Sequence, residues 1–329
     1  MQITRTIYLF GSTVFGPYGP MTFAPDGRVT TRHEPAEHSY TVSADGSLTF
    51  RDAAGQETSS LVPDGSGGFK PKTGFPHFLF PVFALDPAPQ PSRRKPIFVN
   101  TVPKAGTYLF ARALEEIGYV NSGVHVMDHH LHDNRGVASK DLHWAPEERE
   151  VSVSAGPLAA LLRSGEFAVG HLGSELSLRD VAAAGCVVIN LARDPVTQLV
   201  SMYHFRSTAV KPNAESRLYM SVGGVEGFKI FLASSPVRQW LRELAMMIDN
   251  HPFLRYEDLV QGKVDRKVVG LRLAHTLSSG LSRALGQRTS TLSNRDRSRD
   301  DDYLKDPAVR QYLEDVGALA LSERYRAMA

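Results

Sequence analysis

Residues 103–107, Pro-Lys-Ala-Gly-Thr, could form a loop that binds an anion. A helical pattern follows, and the first N–H groups of a helix lack intrahelical acceptors and favour a negative charge. The ammonium of Lys104 could reach the same anion, and Thr107 could add a hydroxyl group or cap the helix. The Walker pattern of ATP-binding P-loops is absent, because Lys104 precedes the glycine of this loop. The segment predicts a phosphate site, and an ordinary strand-to-helix turn with an exposed lysine stays open as the alternative.

The segment Arg193-Asp194-Pro195 is a second candidate binding motif, and it follows the strand-like run 186–191. Asp194 is the expected N-cap of a helix, and Pro195 fits its first position. The planar guanidinium of Arg193 suits a phosphate, and Ser201, about two turns further on, offers a hydroxyl donor. Ligands of open α/β sheets bind at the carboxyl ends of strands, so we expect a second anion site here. A surface salt bridge for Arg193 is the alternative.

His171 ends another strand-like run, 167–169, and is the candidate general base. The unperturbed pKa of histidine, about 6.5, leaves much of the imidazole neutral and able to accept a proton at pH 7. Glu175 is close enough in sequence to compete, and we favour His171. The alternative is that His171 only forms hydrogen bonds at the end of the sheet.

Residues 128–133, Asp-His-His-Leu-His-Asp, have the residue types of a zinc or other transition-metal site. The sequence offers no coherent second set of ligands, so we favour an acceptor-pocket or surface role and predict no metal.

The elements that must hold these residues divide the chain into two parts. Before about Ala84 the Asp-Gly pairs at 26–27, 45–46 and 64–65 indicate tight turns, and residues 40–50 predict a hairpin. We predict a small antiparallel β-rich module at 1–84, a proline-rich linker at 85–95, and an α/β domain at 96–329.

Strand-like and helix-like segments alternate after Pro96. The apolar runs 97–99, 167–169, 186–191 and 252–254 predict strands, and apolar residues between 109 and 117 recur at helical spacing before Gly118. This alternation predicts an α/β fold with a parallel central sheet flanked by helices.

The composition fits a globular protein. Hydrophobic residues make up 42% and charged residues 22% of 329 residues, and the net charge is +2, which excludes disorder and a broad electrostatic surface for a nucleic-acid polymer. A single cysteine, Cys186, excludes an intrachain disulfide, predicts a small buried hydrophobe and favours a cytoplasmic location. We expect no signal peptide and no membrane span.

The motifs at 103–107 and 193–201 together resemble the two donor-binding motifs of sulfotransferases that use 3′-phosphoadenosine 5′-phosphosulfate (PAPS). The resemblance covers roughly Pro96 to the C-terminus and implies a P-loop NTPase-like sulfotransferase fold. It also implies that the first motif binds the 5′-phosphosulfate and that the second motif binds the 3′-phosphate. His171 is then expected to take the proton of the acceptor group. Gly173 stands where the family has a proline. The donor-binding residues implied are Lys104, Ala105, Gly106, Thr107, Tyr108, Arg193, Ser201 and Arg295.

Two further segments resemble parts of the family's sequence. Residues 256–258, Tyr-Glu-Asp, resemble a strand-end segment in which Glu257 and Asp258 are expected to cap the next helix. Residues 290–299 are the nearest match to a late basic loop that closes over the 3′-phosphate, through Arg295, Arg297 or Arg299.

The resemblance implies transfer of a sulfuryl group from PAPS to an acceptor hydroxyl, with lysine and histidine as the catalytic residues, PAP as the product and no metal required. The β module before Ala84 resembles bacterial accessory segments beside glycan-modifying enzymes, which favours a carbohydrate or glycoconjugate acceptor over a phenol or a protein tyrosine. The oligomeric state stays open. The alternatives are an ATP-dependent P-loop phosphotransferase and a non-catalytic glycan-binding or scaffold protein on a decayed enzyme fold.

Overall fold

The structure, a computed structural model, describes residues 3–30, 36–72, 76–86, 93–138, 146–207, 214–286 and 303–328. These residues form an antiparallel sheet followed by a mixed sheet with helices on both faces. Among them, no helix combines the length and the apolar character that crossing a membrane requires.

The antiparallel sheet has eight strands, so it is larger than the small module that the sequence predicts. The strands are β1 (Thr6–Ser12), β2 (Gly16–Phe23), β3 (Val29–Thr30), β4 (Ser39–Val42), β5 (Leu48–Arg51), β6 (Glu57–Pro63), β7 (Phe69–Pro71) and β8 (His77–Ala84). Their order is β3-β2-β1-β8-β7-β6-β5-β4. The predicted hairpin is present as β4 and β5, with Gly46 at φ 81° in its turn.

The mixed sheet has seven strands in the order β12-β11-β10-β13-β9-β14-β15. They are β9 (Ile97–Thr101), β10 (Val120–Met127), β11 (Leu131–Asp133), β12 (Glu150–Val151), β13 (Glu166–His171), β14 (Val187–Ala192) and β15 (Phe253–Arg255). The five strands from β10 to β15 in this order are parallel, as predicted, and β11 and β12 add an antiparallel edge. β9 is buried along its whole length, as expected of a central parallel strand.

Twelve α-helices lie in the described residues. They are α1 (Thr107–Glu116), α2 (Ala155–Leu161), α3 (Glu175–Ala183), α4 (Pro195–Ser207), α5 (Ala214–Val222), α6 (Gly224–Leu232), α7 (Ser235–Asn250), α8 (Tyr256–Leu259), α9 (Arg266–Val269), α10 (Leu271–Leu285), α11 (Pro307–Asp315) and α12 (Ala318–Ala327). α1 and α10 cover one face of the mixed sheet, and α2 and α3 cover the other. A separate core joins α4, α6, α7 and α12.

The N-terminal sheet shares a core with the α/β domain. Ile7 and Phe83 belong to the apolar cluster that contains Leu158 of α2. Beside it, the guanidinium of Arg5 donates two hydrogen bonds to the carboxylate of Glu166, at 2.7 and 2.8 Å, and both side chains are buried. The N-terminal part of the chain therefore contacts the α/β domain through apolar packing and through a buried ion pair from Arg5, the residue before β1. The boundaries at 84 and 95 stay predictions.

Candidate functional site

The loop between β9 and α1 has the conformation of a tight turn. Lys104 has a φ of 69° although it is not a glycine, and Gly106, the N-cap of α1, has a φ of 96°. A Cβ atom at Gly106 would lie 2.6 Å from the ring of Tyr256. Glycine is thus required here both by the positive φ and by the close approach of an aromatic ring.

The backbone N–H groups of this loop differ in their partners. The N–H of Ala105 donates to the carbonyl of Val102 at 3.2 Å, so it is committed to the turn rather than directed toward a ligand. The N–H groups that start α1, those of Thr107, Tyr108 and Leu109, lack intrahelical acceptors as in any α-helix. The contribution of Ala105 to an anion site stays a prediction.

Thr107 is buried, and its hydroxyl lies 2.7 Å from the hydroxyl of Thr101. It is the first helical residue and not the cap, since Gly106 holds that position. Thr101 in turn lies 2.9 Å from Nδ1 of His171, so a short polar chain connects the loop to the predicted base.

The two predicted motifs are in direct contact. Nη1 of Arg193 donates to the carbonyl of Lys104 at 3.3 Å, and Nε2 of Gln198 donates to the carbonyl of Pro103 at 2.9 Å. The guanidinium of Arg193 lies 4.6 Å from the centre of the Tyr256 ring, the same ring that contacts Gly106. Hydrogen bonds from Arg193 and from Gln198 of α4 to loop carbonyls therefore hold the two motifs together.

One side of α4 faces this loop. Nε of Arg193 donates to the hydroxyl of Thr197 at 3.3 Å, and Ser201 and Phe205 follow at successive spacings of four residues. Residues four apart lie on one helix face. Thr197, Ser201 and Phe205 therefore form a stripe along α4. At its C-terminal end, Nζ of Lys104 lies 4.4 Å from the centre of the Phe205 ring. The stripe therefore brings Arg193, Ser201 and the Lys104 ammonium to one side of the helix.

Two buried asparagines, absent from the sequence predictions, fix the ends of the parallel strands. Nδ2 of Asn100 donates to Oδ1 of Asn190 at 3.1 Å, and Oδ1 of Asn100 accepts from the N–H of Leu172 at 2.9 Å. Asn190 continues the chain with a bond to the carbonyl of Pro252. The signal was visible as an asparagine directly after the apolar run 97–99 and within the apolar run 187–192.

His171 ends β13 and is partly buried. Its Nδ1 lies 2.8 Å from the carbonyl of Thr101, and a carbonyl only accepts, so Nδ1 carries the proton and Nε2 is left with a lone pair. Burial lowers the pKa of His171 from 6.5 to about 4, against the opposing effect of its backbone hydrogen bonds. The imidazole is therefore neutral at pH 7 and in the tautomer that a base requires.

Glu175, the competing base, has other partners. It starts α3, and its Oε1 lies 2.9 Å from Nε2 of His251 and accepts a bond from Nδ2 of Asn250 at 3.3 Å. Both partners belong to the C-terminal end of α7.

Two carboxylates lie beside Gly173, next to the predicted base. Oδ2 of Asp128 accepts from the N–H of Gly173 at 3.2 Å, and a Cβ at Gly173 would lie 2.7 Å from Cδ of Glu243. Burial raises the pKa of Glu243, and the charge of Asp128 adds to this. Gly173, which stands where the family has a proline, leaves room for Glu243, a residue that no sequence pattern pointed to.

The carboxylate of Asp194 connects the second motif to the C-terminal helix. Oδ1 caps α4 by accepting from the N–H of Thr197 at 3.1 Å, as predicted. Oδ2 accepts from the hydroxyl of Ser322 and from Nε of Arg326, both on α12.

Glu257 has a different role from the predicted helix cap. It accepts from the backbone N–H of Asp194 at 3.2 Å and from the hydroxyl of Tyr325 on α12. The predicted contribution of Arg295, Arg297 or Arg299 lies outside the described residues.

The sulfotransferase domain family matches this chain over residues 94–265, which is 172 of its 329 residues and includes both motifs and His171. The chain belongs to the sulfotransferase domain family, and the class of reaction that this assignment supports is sulfuryl transfer.

Solved structures with partial similarity include mouse sulfotransferase SULT7A1 complexed with PAP, at 15% identity and a TM-score of 0.37, over 73% of this chain and 91% of that one. The sulfotransferase domain of the Synechococcus PCC 7002 olefin synthase is similar at 16% identity and a TM-score of 0.36, over 73% of this chain and 98% of that one. No curated protein matches the chain.

Proposed function

We propose that this protein transfers the sulfuryl group of PAPS to an acceptor hydroxyl. The observation that carries the proposal is the contact between the two anion-binding motifs, in which Arg193 donates to the carbonyl of Lys104 at 3.3 Å. PAPS carries two separated anionic ends, and a site with two adjoining cationic motifs is suited to it.

The loop 103–107 acts as a P-loop-like cradle for the 5′-phosphosulfate. The N–H groups of Gly106, Thr107 and Tyr108 bind the non-bridging oxygens at the positive end of α1. The ammonium of Lys104 neutralises the charge that grows on the bridging oxygen as the nucleotide leaves. The positive φ angles of Lys104 and Gly106 support this role, since strained turns of this kind cluster at ligand sites.

Arg193 and Ser201 bind the 3′-phosphate, and the hydrogen bond from Arg193 to Thr197, one turn before Ser201 on α4, supports this assignment. Thr197 lies between them on α4, and its hydroxyl accepts from Nε of Arg193 and donates to the carbonyl of Asp194, which orients the guanidinium. A phosphate bound there distinguishes PAPS from ATP, which lacks a 3′-phosphate. Closure by Arg295 stays a prediction.

His171 is the general base. Its Nε2 accepts the proton of the acceptor hydroxyl while the acceptor oxygen forms a bond to sulfur and the bond from sulfur to the bridging oxygen breaks. The electron pair of that bond leaves with PAP. As in phosphoryl transfer, positioning and charge stabilisation supply most of the rate enhancement. The contacts of Glu175 with His251 and Asn250 support His171 over Glu175.

A carbohydrate hydroxyl is the acceptor that we favour. The carboxylates of Asp128 and Glu243 lie beside Gly173, two residues after His171, and the ring centre of His125 lies 4.4 Å from that of His171. Carboxylates accept hydrogen bonds from hydroxyl groups, whereas a phenol would require an apolar, aromatic pocket. The cytoplasmic location also stays a prediction, resting on the single cysteine.

An ATP-dependent phosphotransferase is the main competing function, and binding of PAP separates the two. Calorimetry in the presence of EDTA should detect PAP binding that ATP does not compete for. Arg193→Ala should abolish most of this binding, whereas Arg272→Ala, at an exposed position of α10, should not change it. Equal binding of ATP and PAP, or no effect of Arg193→Ala, would contradict the proposed donor.

The acceptor class is tested by transfer from labelled PAPS to saccharides, phenols and tyrosine peptides. We expect labelled product from saccharides, and loss of it in His171→Ala but not in His275→Ala, which changes an exposed histidine. Labelling of phenols alone would contradict the carbohydrate assignment and leave the donor assignment intact. A non-catalytic scaffold protein would give no labelled product with any acceptor.

A further inference from the structure

Three side chains that could bind a metal meet at the antiparallel edge of the mixed sheet. Nitrogen atoms of His130 and His132 and a carboxylate oxygen of Glu150 all lie within 4.8 Å of one another. Nε2 of His130 lies 4.0 Å from Oε2 of Glu150, and the two imidazole rings are 5.3 Å apart between centres. Two imidazoles and one carboxylate form a ligand set that suits zinc and related divalent metals.

The sheet register holds two of these residues side by side. His132 on β11 is paired with Glu150 on β12, and cross-strand partners project from the same face of a sheet. His130 belongs to the turn that joins β10 to β11, and its carbonyl accepts from the N–H of Met127 at 2.7 Å, which closes that turn. The arrangement is thus set by backbone pairing and does not depend on chance contacts between long side chains.

We propose that His130, His132 and Glu150 bind one divalent transition metal, best suited by zinc, with a coordination position left open. Zinc bonds of about 2.1 Å place tetrahedral ligand atoms about 3.4 Å apart, so the three side chains need only close slightly around the ion. The side chains of His130 and Glu150 are 33% and 43% exposed, which leaves them room to rotate. An ion pair between protonated His130 and Glu150 without any metal is the competing interpretation.

The third ligand explains why the sequence predicted no metal. Residues 128–133 supply histidines, but Glu150 follows much later, on a strand of two residues that has no periodic pattern of its own. Only the pairing of β11 with β12 brings the carboxylate to the imidazoles.

The metal site is on the face of the sheet that carries the predicted base. His125 is paired with His132 across β10 and β11, and the His125 ring contacts that of His171. The same turn carries Asp128, which accepts from Gly173. We therefore expect metal loading to lower the KM for the acceptor and to leave donor affinity unchanged, a consequence that rests on the proposed function whereas metal binding itself does not.

Metal binding is tested on the full chain after removal of metals with a chelator. Titration with Zn²⁺ should show one equivalent bound, and Co²⁺ should give the visible absorption of a tetrahedral site. His130→Ala and Glu150→Gln should each weaken binding at least about tenfold, since loss of even an outer-shell partner costs that much. His129→Ala changes an exposed histidine of the same turn and should leave binding unchanged.

The proposal is overturned if neither ion binds stoichiometrically, or if binding is the same in His130→Ala and Glu150→Gln as in the parent protein. Thermal unfolding of each variant without metal shows whether its fold is intact, and Glu150→Gln, at an exposed position, provides a second test if His130→Ala does not fold. PAP binding measured on the same preparations is independent of this result, so failure of the metal site and failure of the proposed donor are distinguishable.

Discussion

Lys104 and Gly106 have φ angles of 69° and 96°, on either side of Ala105, whose N–H is used within the turn. A non-glycine residue with positive φ costs about 1–2 kcal/mol, so the turn is held by its surroundings. These include Arg193 and Gln198, which donate to the carbonyls of Lys104 and Pro103. The shape of the loop, and not only its residue types, therefore depends on the second motif.

Gly106→Ala should destabilise the protein and weaken PAP binding. The new Cβ would lie 2.6 Å from the Tyr256 ring at a φ of 96°, and strain of this kind costs about 1–3 kcal/mol. Urea unfolding and calorimetry with PAP measure the two effects. Gly286→Ala is the matched control, because Gly286 has a φ of −70° that alanine adopts freely. Equal stability of the two variants would mean that the Tyr256 ring moves away at no cost.

The pH dependence of catalysis should reflect the lowered pKa of His171. Because burial lowers this pKa to about 4, the neutral base is fully populated at pH 7 and is lost only as the pH falls toward 4. The acid limb of kcat/KM for the donor should thus lie near pH 4 and not near 6.5. Bound PAPS is anionic and favours the protonated imidazole, so the limb of kcat should lie at higher pH.

His171→Asn keeps a polar side chain but removes the titrating group, and should lose most activity at every pH. Steady-state profiles between pH 4 and 8 measure both limbs. A limb near 6.5 in kcat/KM of the parent protein, or a limb that persists in His171→Asn, would show that another group titrates.

At the scale of elements, α12 positions the second motif from the far end of the chain. Ser322 and Arg326 bond to the carboxylate of Asp194, and Tyr325 bonds to Glu257, which itself accepts from the N–H of Asp194. These contacts hold Asp194, the residue next to Arg193, by its carboxylate and by its backbone N–H. The C-terminal helix thus supports the proposed donor site through Asp194 and Glu257.

Ser322→Ala should lower the free energy of unfolding by about 1–3 kcal/mol, because the buried carboxylate of Asp194 loses a donor. It should also weaken PAP binding through Arg193, although Ser322 is not a donor-binding residue. Urea unfolding and calorimetry measure the two changes, and Glu323→Ala, at the exposed neighbouring position of α12, is the control. An unchanged affinity for PAP would show that α12 stabilises the fold without affecting the site.

The sequence predicted the elements with strong local signals. β9, α1, β13 and β14 followed from apolar runs, a helical period and a stop at Gly118, and Asp194 followed from its position before a proline. The short strands β11 and β12 gave no signal, because two or three residues show no period. The roles of Glu257 and Glu243 depend on partners distant in sequence, which no local pattern contains.

At the scale of the whole molecule, the N-terminal sheet and the α/β domain share packing and charge. Phe83 packs in the cluster of Leu158, and Arg5 also donates to the carbonyl of Asp86 at 2.7 Å while it pairs with Glu166. Glu166 begins β13, the strand that ends at His171. The N-terminal part of the chain therefore stabilises the position of β13, the strand that ends at the predicted base.

Arg5→Met should destabilise the protein by about 3–5 kcal/mol, because it leaves the carboxylate of Glu166 buried without its partner. The double variant Arg5→Met and Glu166→Leu should recover much of this loss, since apolar pairs replace buried ion pairs well. Urea unfolding of both variants and of Glu166→Leu forms the double-mutant cycle. A purely additive double variant would mean that the ion pair does not couple the N-terminal segment to β13.

The most direct test of sulfuryl transfer is acceptor-dependent release of PAP from PAPS in the presence of EDTA, with saccharide acceptors. The parent protein should release PAP in proportion to sulfated product, and Lys104→Ala should lower kcat by at least about 100-fold, because the charge on the bridging oxygen is then not neutralised. Lys263→Ala, which changes an exposed lysine, should retain the parental rate. Equal rates in Lys104→Ala and the parent protein, or no PAP release with any acceptor, would contradict the role assigned to residues 103–107.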